Sequence, residues 1–216
     1  MGGIALIAGA VGGIVTMSLH PTGHDLMAPG HFEAAARMVA FVHALAIVSL
    51  PIQFLGALAL SNRLAAPNRL ALAALVVYGF ALAAVMSAAA VSGFVAPRLA
   101  REMLASPTTE GWHIAADYNF FLNQAFAMLY AVASSTAIVL WSAAITRGGQ
   151  LARGVGIYGL LLGPLTILVV GSGHLRLGVH GFGMVVLTQA VWFIVVGVLL
   201  LRRQKDAPDL SSKQES

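Results

Sequence analysis

Six stretches of this 216-residue chain are apolar enough to lie in lipid, at about 3–19, 38–60, 70–96, 120–146, 155–172 and 182–201. This pattern constrains the fold more than any other feature. A backbone in hydrocarbon must satisfy its own hydrogen bonds, and about 20 residues of helix cross the bilayer core. The sequence therefore predicts an all-α integral membrane bundle of six transmembrane helices over residues 1–202, with a polar cytoplasmic tail at 203–216. Charged residues make up 9% of the chain and hydrophobic ones 59%, where a soluble domain carries roughly a quarter charged. That balance excludes an ordinary soluble enzyme, a disordered chain and a nucleic-acid binder, and it makes the lipid bilayer the implied partner. With no cysteine, disulfides, thiolate metal sites and thiol catalysis are excluded as well.

The first and fifth stretches are short and glycine-rich (Gly9, Gly12, Gly13; Gly156, Gly159, Gly163), which suits close approach inside a bundle. Pro51 and Pro164 fall within spans, where each removes a backbone bond and is expected to kink its helix. Basic residues set the orientation. Arg63, Arg69, Arg147, Arg153, Arg202, Arg203, Lys205 and Lys213 lie on the side of the termini, and Arg37, Arg98, Arg101 and Arg176 on the other. The positive-inside rule then puts both termini in the cytoplasm of a bacterial-type plasma membrane. The first stretch lacks a basic leader region and a small-residue cleavage site, so it is expected to remain as a helix rather than be removed as a signal peptide.

In that orientation the histidines are lopsided. His20, His24, His31, His113, His174 and His180 fall in or beside the outer loops, with His43 slightly inside the outer end of the second span. Asp25, Glu33, Glu102, Glu110 and Asp117 share the face. Neutral imidazole is the commonest nitrogen ligand for zinc, copper and haem iron. His20, His43, His113, Asp117, His174 and His180 are thus candidate metal ligands, and His43, His113, His174 and His180 candidate ligands of haem b. Of these His43 ranks first, because a polar group at that depth normally faces the protein interior or a cavity. The competing reading is that histidine is simply tolerated at the interface, and no strict ligand motif such as HExxH is present. Glu33 and Arg37, four apart, are expected to pair locally.

A second polar concentration opens the fourth span: Asp117, Asn119, Asn123 and Gln124. It reads either as a transport path entered from outside or as interhelical hydrogen bonding. The leading reading is a redox or metal-handling membrane protein with a metal ion or haem b on its outer face. The alternatives are a small proton-coupled transporter or channel-like protein using the fourth helix, and an accessory or structural subunit. Whether the chain is an enzyme, and whether it forms a homo-oligomer or joins a membrane complex, the residues leave open. The first and third helical hairpins also look alike, each with Ser-x-His followed by a histidine and a later glutamine (His43 with Gln53, His180 with Gln189). His113 with Gln124 echoes the pair in the middle hairpin. The differing separations argue against a repeated site geometry.

Overall fold

The computed structural model describes residues 1–21, 30–65 and 69–205. Six helices account for nearly all of them: α1 (Gly2–Ser18), α2 (Phe32–Ala65), α3 (Leu70–Ala105), α4 (Glu110–Gly148), α5 (Arg153–Gly171) and α6 (Val179–Lys205). Helices α2 to α6 are long and apolar enough to span a membrane, and α1 is a shorter apolar helix. The chain is a polytopic helical membrane bundle, as the sequence predicts. The expected tail from 206 onward lies outside the described residues, and α6 continues to Lys205.

Many large apolar side chains point outward, and many of the buried positions between helices are small. Phe41, Val48 and Leu55 on α2, Val76 and Phe80 on α3, and Leu161, Leu165 and Leu168 on α5 are exposed. At spacings of three, four or seven residues they line one face of each helix, the face a bilayer would cover. Ala57, Ala71, Ala74, Ala81 and Ala137 are fully buried. Lipid tails are as apolar as leucine, so helices in a membrane gain chiefly by packing closely, and small residues permit that.

The glycines of α1 and α5 do this at defined points. A Cβ on Gly3 would lie 2.5 Å from the Gly197 carbonyl oxygen, and one on Gly197 would lie 2.8 Å from that of Gly3. Helix α1 is thereby pressed between α2 and α6. Helix α5 packs along α4, where a Cβ on Gly163 would reach 2.8 Å from the Ser135 carbonyl oxygen, and touches α6 only lightly. The intimate α1–α2 hairpin and the loose α5–α6 hairpin do not share a packing mode. The likeness between the first and third hairpins does not extend to structure.

The half of the bundle nearer the termini is filled by Tyr78, Trp141, Trp192 and Phe193. Trp141 stacks on Trp192 with centroids 6.0 Å apart, and Tyr78 lies 5.3 Å from Phe193. Above them the Gln189 amide donates to Ser134 Oγ at 2.9 Å and Ser135 Oγ at 3.1 Å, while Tyr130 donates to Gln189 Oε1 at 3.2 Å. This fully buried knot ties α4 to α6.

Three helices run past the apolar stretches at the end remote from the termini: α2 begins at Phe32, α3 continues to Ala105 and α4 begins at Glu110. Both Pro51 and Pro164 sit within continuous helices. Within α3, Val91–Val95 form a π-helical turn, with the Ala96 amide donating to the carbonyl of Val91. Pro97 explains its position. Proline has no N–H to give the carbonyl four residues back, here Gly93, and its ring crowds that carbonyl. A widened turn lets the helix absorb both effects. The extension of α3 also corrects an expectation, since Glu33 pairs with Arg101 at 3.0 Å rather than with Arg37. Arg101 lies beyond the apolar stretch, on helical turns that composition alone does not extend.

Candidate functional site

At this histidine end the bundle opens into a cavity of about 490 Å³ walled by α1, α2, α3, α4 and the start of α6. Its lining is mostly apolar, including Val39, Val85, Leu99 and Phe182. The polar exceptions are Thr16, His20, His43, Ser92, Asn119, Asn123 and Gln124. A smaller chamber of about 60 Å³ lies deeper, sharing Thr16, Met17, Ala46, Val85 and Phe182 with the first and reaching Gln53, Tyr130 and Gln189. Its lining reaches Phe193 of the aromatic cluster.

His20 and His43 meet on the wall of this cavity. Helix α1 ends at Ser18, which brings His20 across to the buried His43 on α2. Their Nε2 atoms lie 3.2 Å apart, with ring centroids 4.8 Å apart and planes at 73°. Each ring is held from behind: His20 Nδ1 donates to the Pro21 carbonyl and His43 Nδ1 to the Val39 carbonyl, both at 2.7 Å. Burial holds the His20 imidazole below its ordinary value of 6.5, outweighing the Pro21 carbonyl bond, which favours the charged form. The π turn of α3 supports the pair from the third side. A Cβ on Gly93 would lie 2.8 Å from His43 Cγ and closer still to His43 Cβ. Only glycine permits this approach.

The other predicted ligands are elsewhere. His113 is exposed and donates through Nε2 to the Pro107 carbonyl at 3.2 Å. His174 is exposed and hydrogen-bonded to Ser172 Oγ at 2.8 Å. His180 and Asp117 are exposed and do not line the cavity. His24 and Asp25 lie outside the described residues. The α4 stripe divides: Asn119, Asn123 and Gln124 face the cavity, and Gln124 donates to the Leu177 carbonyl at 3.2 Å. Among the described residues, no group of three or more His, Asp or Glu side chains is placed to hold a metal ion.

Sequence reasoning missed three contributors. Gly93 is invisible without knowing which helix it meets. Thr16, buried with no hydrogen-bond partner for its hydroxyl among the described residues, lines both chambers. Pro97, four residues after the Ser92-Gly93 break in an apolar run, was the available hint of the π turn. No protein-family model, no curated protein and no solved structure matches the chain.

Proposed function

We propose that His20 and His43 together hold a first-row transition-metal ion on the cavity wall, in a membrane protein with a redox or metal-handling role. One observation carries the reading. A carbonyl oxygen only accepts hydrogen bonds, so each Nδ1 that bonds one must carry the ring proton. In the neutral rings both Nε2 atoms then present lone pairs, and these face each other at 3.2 Å. That arrangement is repulsive unless a cation joins them. Two metal–nitrogen bonds of about 2.0–2.1 Å at a tetrahedral angle place the nitrogens about 3.3 Å apart, so the pair is spaced as neighbouring ligands of one ion. The carbonyl bonds behind each ring are the usual second contacts of ligating histidines, fixing tautomer and orientation.

The remaining coordination positions would face the cavity and take water or a bound molecule. Haem b is the weaker fit for this pair. Imidazoles on opposite faces of a haem iron stand about two bond lengths, or about 4 Å, apart, and these are closer and edge-to-face.

The test is titration of chelator-treated, detergent-purified protein with Co(II) and Zn(II), followed by absorption and calorimetry. One ion per chain, lost in His20→Ala and in His43→Ala but kept in His113→Ala and His174→Ala, supports the site. Wild-type protein that takes up neither ion removes it.

A shared proton is the other cation that would relieve the repulsion. The presence of Asn119, Asn123 and Gln124 on the same cavity favours this as the second reading, a proton-coupled transporter. Proton uptake into liposomes under an imposed pH gradient, abolished by the double histidine variant, would support it, and flux equal in the variant would dismiss it.

A further inference from the structure

The cavity itself has a chemistry that the histidine pair does not account for. We infer that it is the binding site of a neutral, lipid-soluble carbonyl compound with oxygens at two separated positions, the chemistry of a quinone head group. This inference does not depend on the metal reading.

Four observations lead to it. First, a volume of about 490 Å³ falls within the range of sites for small molecules, whose walls are mostly apolar with a few placed polar groups. Second, among the described residues no Asp, Glu, Lys or Arg lines the cavity. At its end of the bundle Glu33 and Arg101 are engaged with each other. A charged ligand would therefore lose its hydration with no opposite side-chain charge to replace it. Third, Asn119 and Asn123 stand one helical turn apart on α4, both half-buried. Neither has a hydrogen-bond partner among the described residues, and each carboxamide offers two N–H donors. Gln124 beside them is already committed to Leu177. Fourth, Thr16 on α1 is 94% buried, its hydroxyl has no partner among the described residues, and it lines both chambers.

These donors sit on two different helices of one cavity. A ligand that engages the N–H and O–H donors of both sets brings acceptor oxygens at two places and fills the apolar space between them. A ring carrying two carbonyls does so, whereas a carboxylate or a single hydroxyl does not. Phe120 lines the cavity while remaining 57% exposed. It marks the rim at which an apolar molecule would pass from the outer surface of the bundle to the inside.

The experiment uses full-length protein in nanodiscs and a tritiated decyl-substituted benzoquinone as probe. Saturable binding of one probe per chain is expected, undiminished by excess decanoate or decyltrimethylammonium. Asn119→Leu combined with Asn123→Leu should weaken binding about tenfold, the loss of one to two net hydrogen bonds. Ala116→Trp, which places a large side chain on the cavity wall, should abolish it. Both variants must retain helical circular dichroism and a monodisperse elution profile; if either does not, Asn119→Asp replaces it, adding a charge the neutral probe should tolerate poorly. Binding that persists with a chelator present separates this site from the metal site. Uptake no greater than into empty nanodiscs, displacement by decanoate, or unchanged binding in the folded variants would overturn the inference.

Discussion

Gly93→Ala probes the histidine pair without touching either ring. The added Cβ would sit 2.8 Å from His43 Cγ, whereas carbon atoms settle at about 3.5–4.0 Å. The side chain must therefore retreat by about 1 Å. Metal–ligand bonds tolerate only about 0.2 Å, so a shift of that size removes His43 as a ligand even if the fold survives. Overpacking of this kind costs about 1–3 kcal/mol, which lowers the melting temperature without preventing insertion. Affinity for Zn(II), measured by calorimetry in detergent, should fall at least 10-fold to 100-fold, the range seen when the support of a ligand is disturbed. Gly79→Ala is the control on the same helix, where the new Cβ would meet Phe54 at an ordinary 3.8 Å. It should bind as wild type does. Equal zinc affinity in folded Gly93→Ala protein would refute the reasoning, because the pair would then not depend on the geometry described.

Other perturbations give separate expectations. Zinc binding should hold steady as pH falls from 8 to about 6.5 and then weaken, since burial keeps His20 neutral through the ordinary imidazole range and protons compete only below it; a curve already falling between pH 8 and 7 would contradict this. Gln189→Leu leaves the Tyr130 and Ser135 hydroxyls without their side-chain partner in the core, while Ser134 keeps its bond to the Tyr130 carbonyl, and should cost about 1–3 kcal/mol, read as a lower thermal midpoint with zinc affinity unchanged. Gly159→Ala would drive a Cβ to 2.6 Å from Trp192 Nε1 and should destabilise by a similar amount, again without altering zinc binding. Arg101→Ala removes a bridge between two exposed side chains, for which less than about 1 kcal/mol is expected in the same melting assay.

The helices were legible because hydropathy reports directly on lipid-facing surface. Their extensions were not, since the turns at 32–37, 97–105 and 110–119 carry charges and read as loop when only apolar length is counted. Depth singled out His43, and its partner His20 stood among the candidate ligands. Nothing in the sequence separates His20 from His113, His174 or His180, because all four occupy helix ends. The difference lies in neighbours: α1 packs against α2 along its length, so the end of α1 delivers His20 to His43, while His113 and His174 turn to local partners. Asp117, Asn119, Asn123 and Gln124 were grouped as one candidate transport path, yet Asp117 is exposed and does not line the cavity that the other three line. Residues two apart on a helix differ by about 200°, and a proton path starting at Asp117 finds no support in this arrangement. The knot around Gln189 shows the same limit, since its glutamine and serines are visible in the sequence but their meeting depends on how α4 and α6 pack.

The most direct test of the account is the X-ray absorption spectrum of zinc-loaded wild-type protein in detergent. The account predicts a nearest shell at about 2.0–2.1 Å containing two imidazole nitrogens, with the outer-shell pattern of two histidine rings, reduced to one ring or lost in His20→Ala. A shell of oxygens alone, or the same two rings in His20→Ala, would contradict a metal site built from His20 and His43.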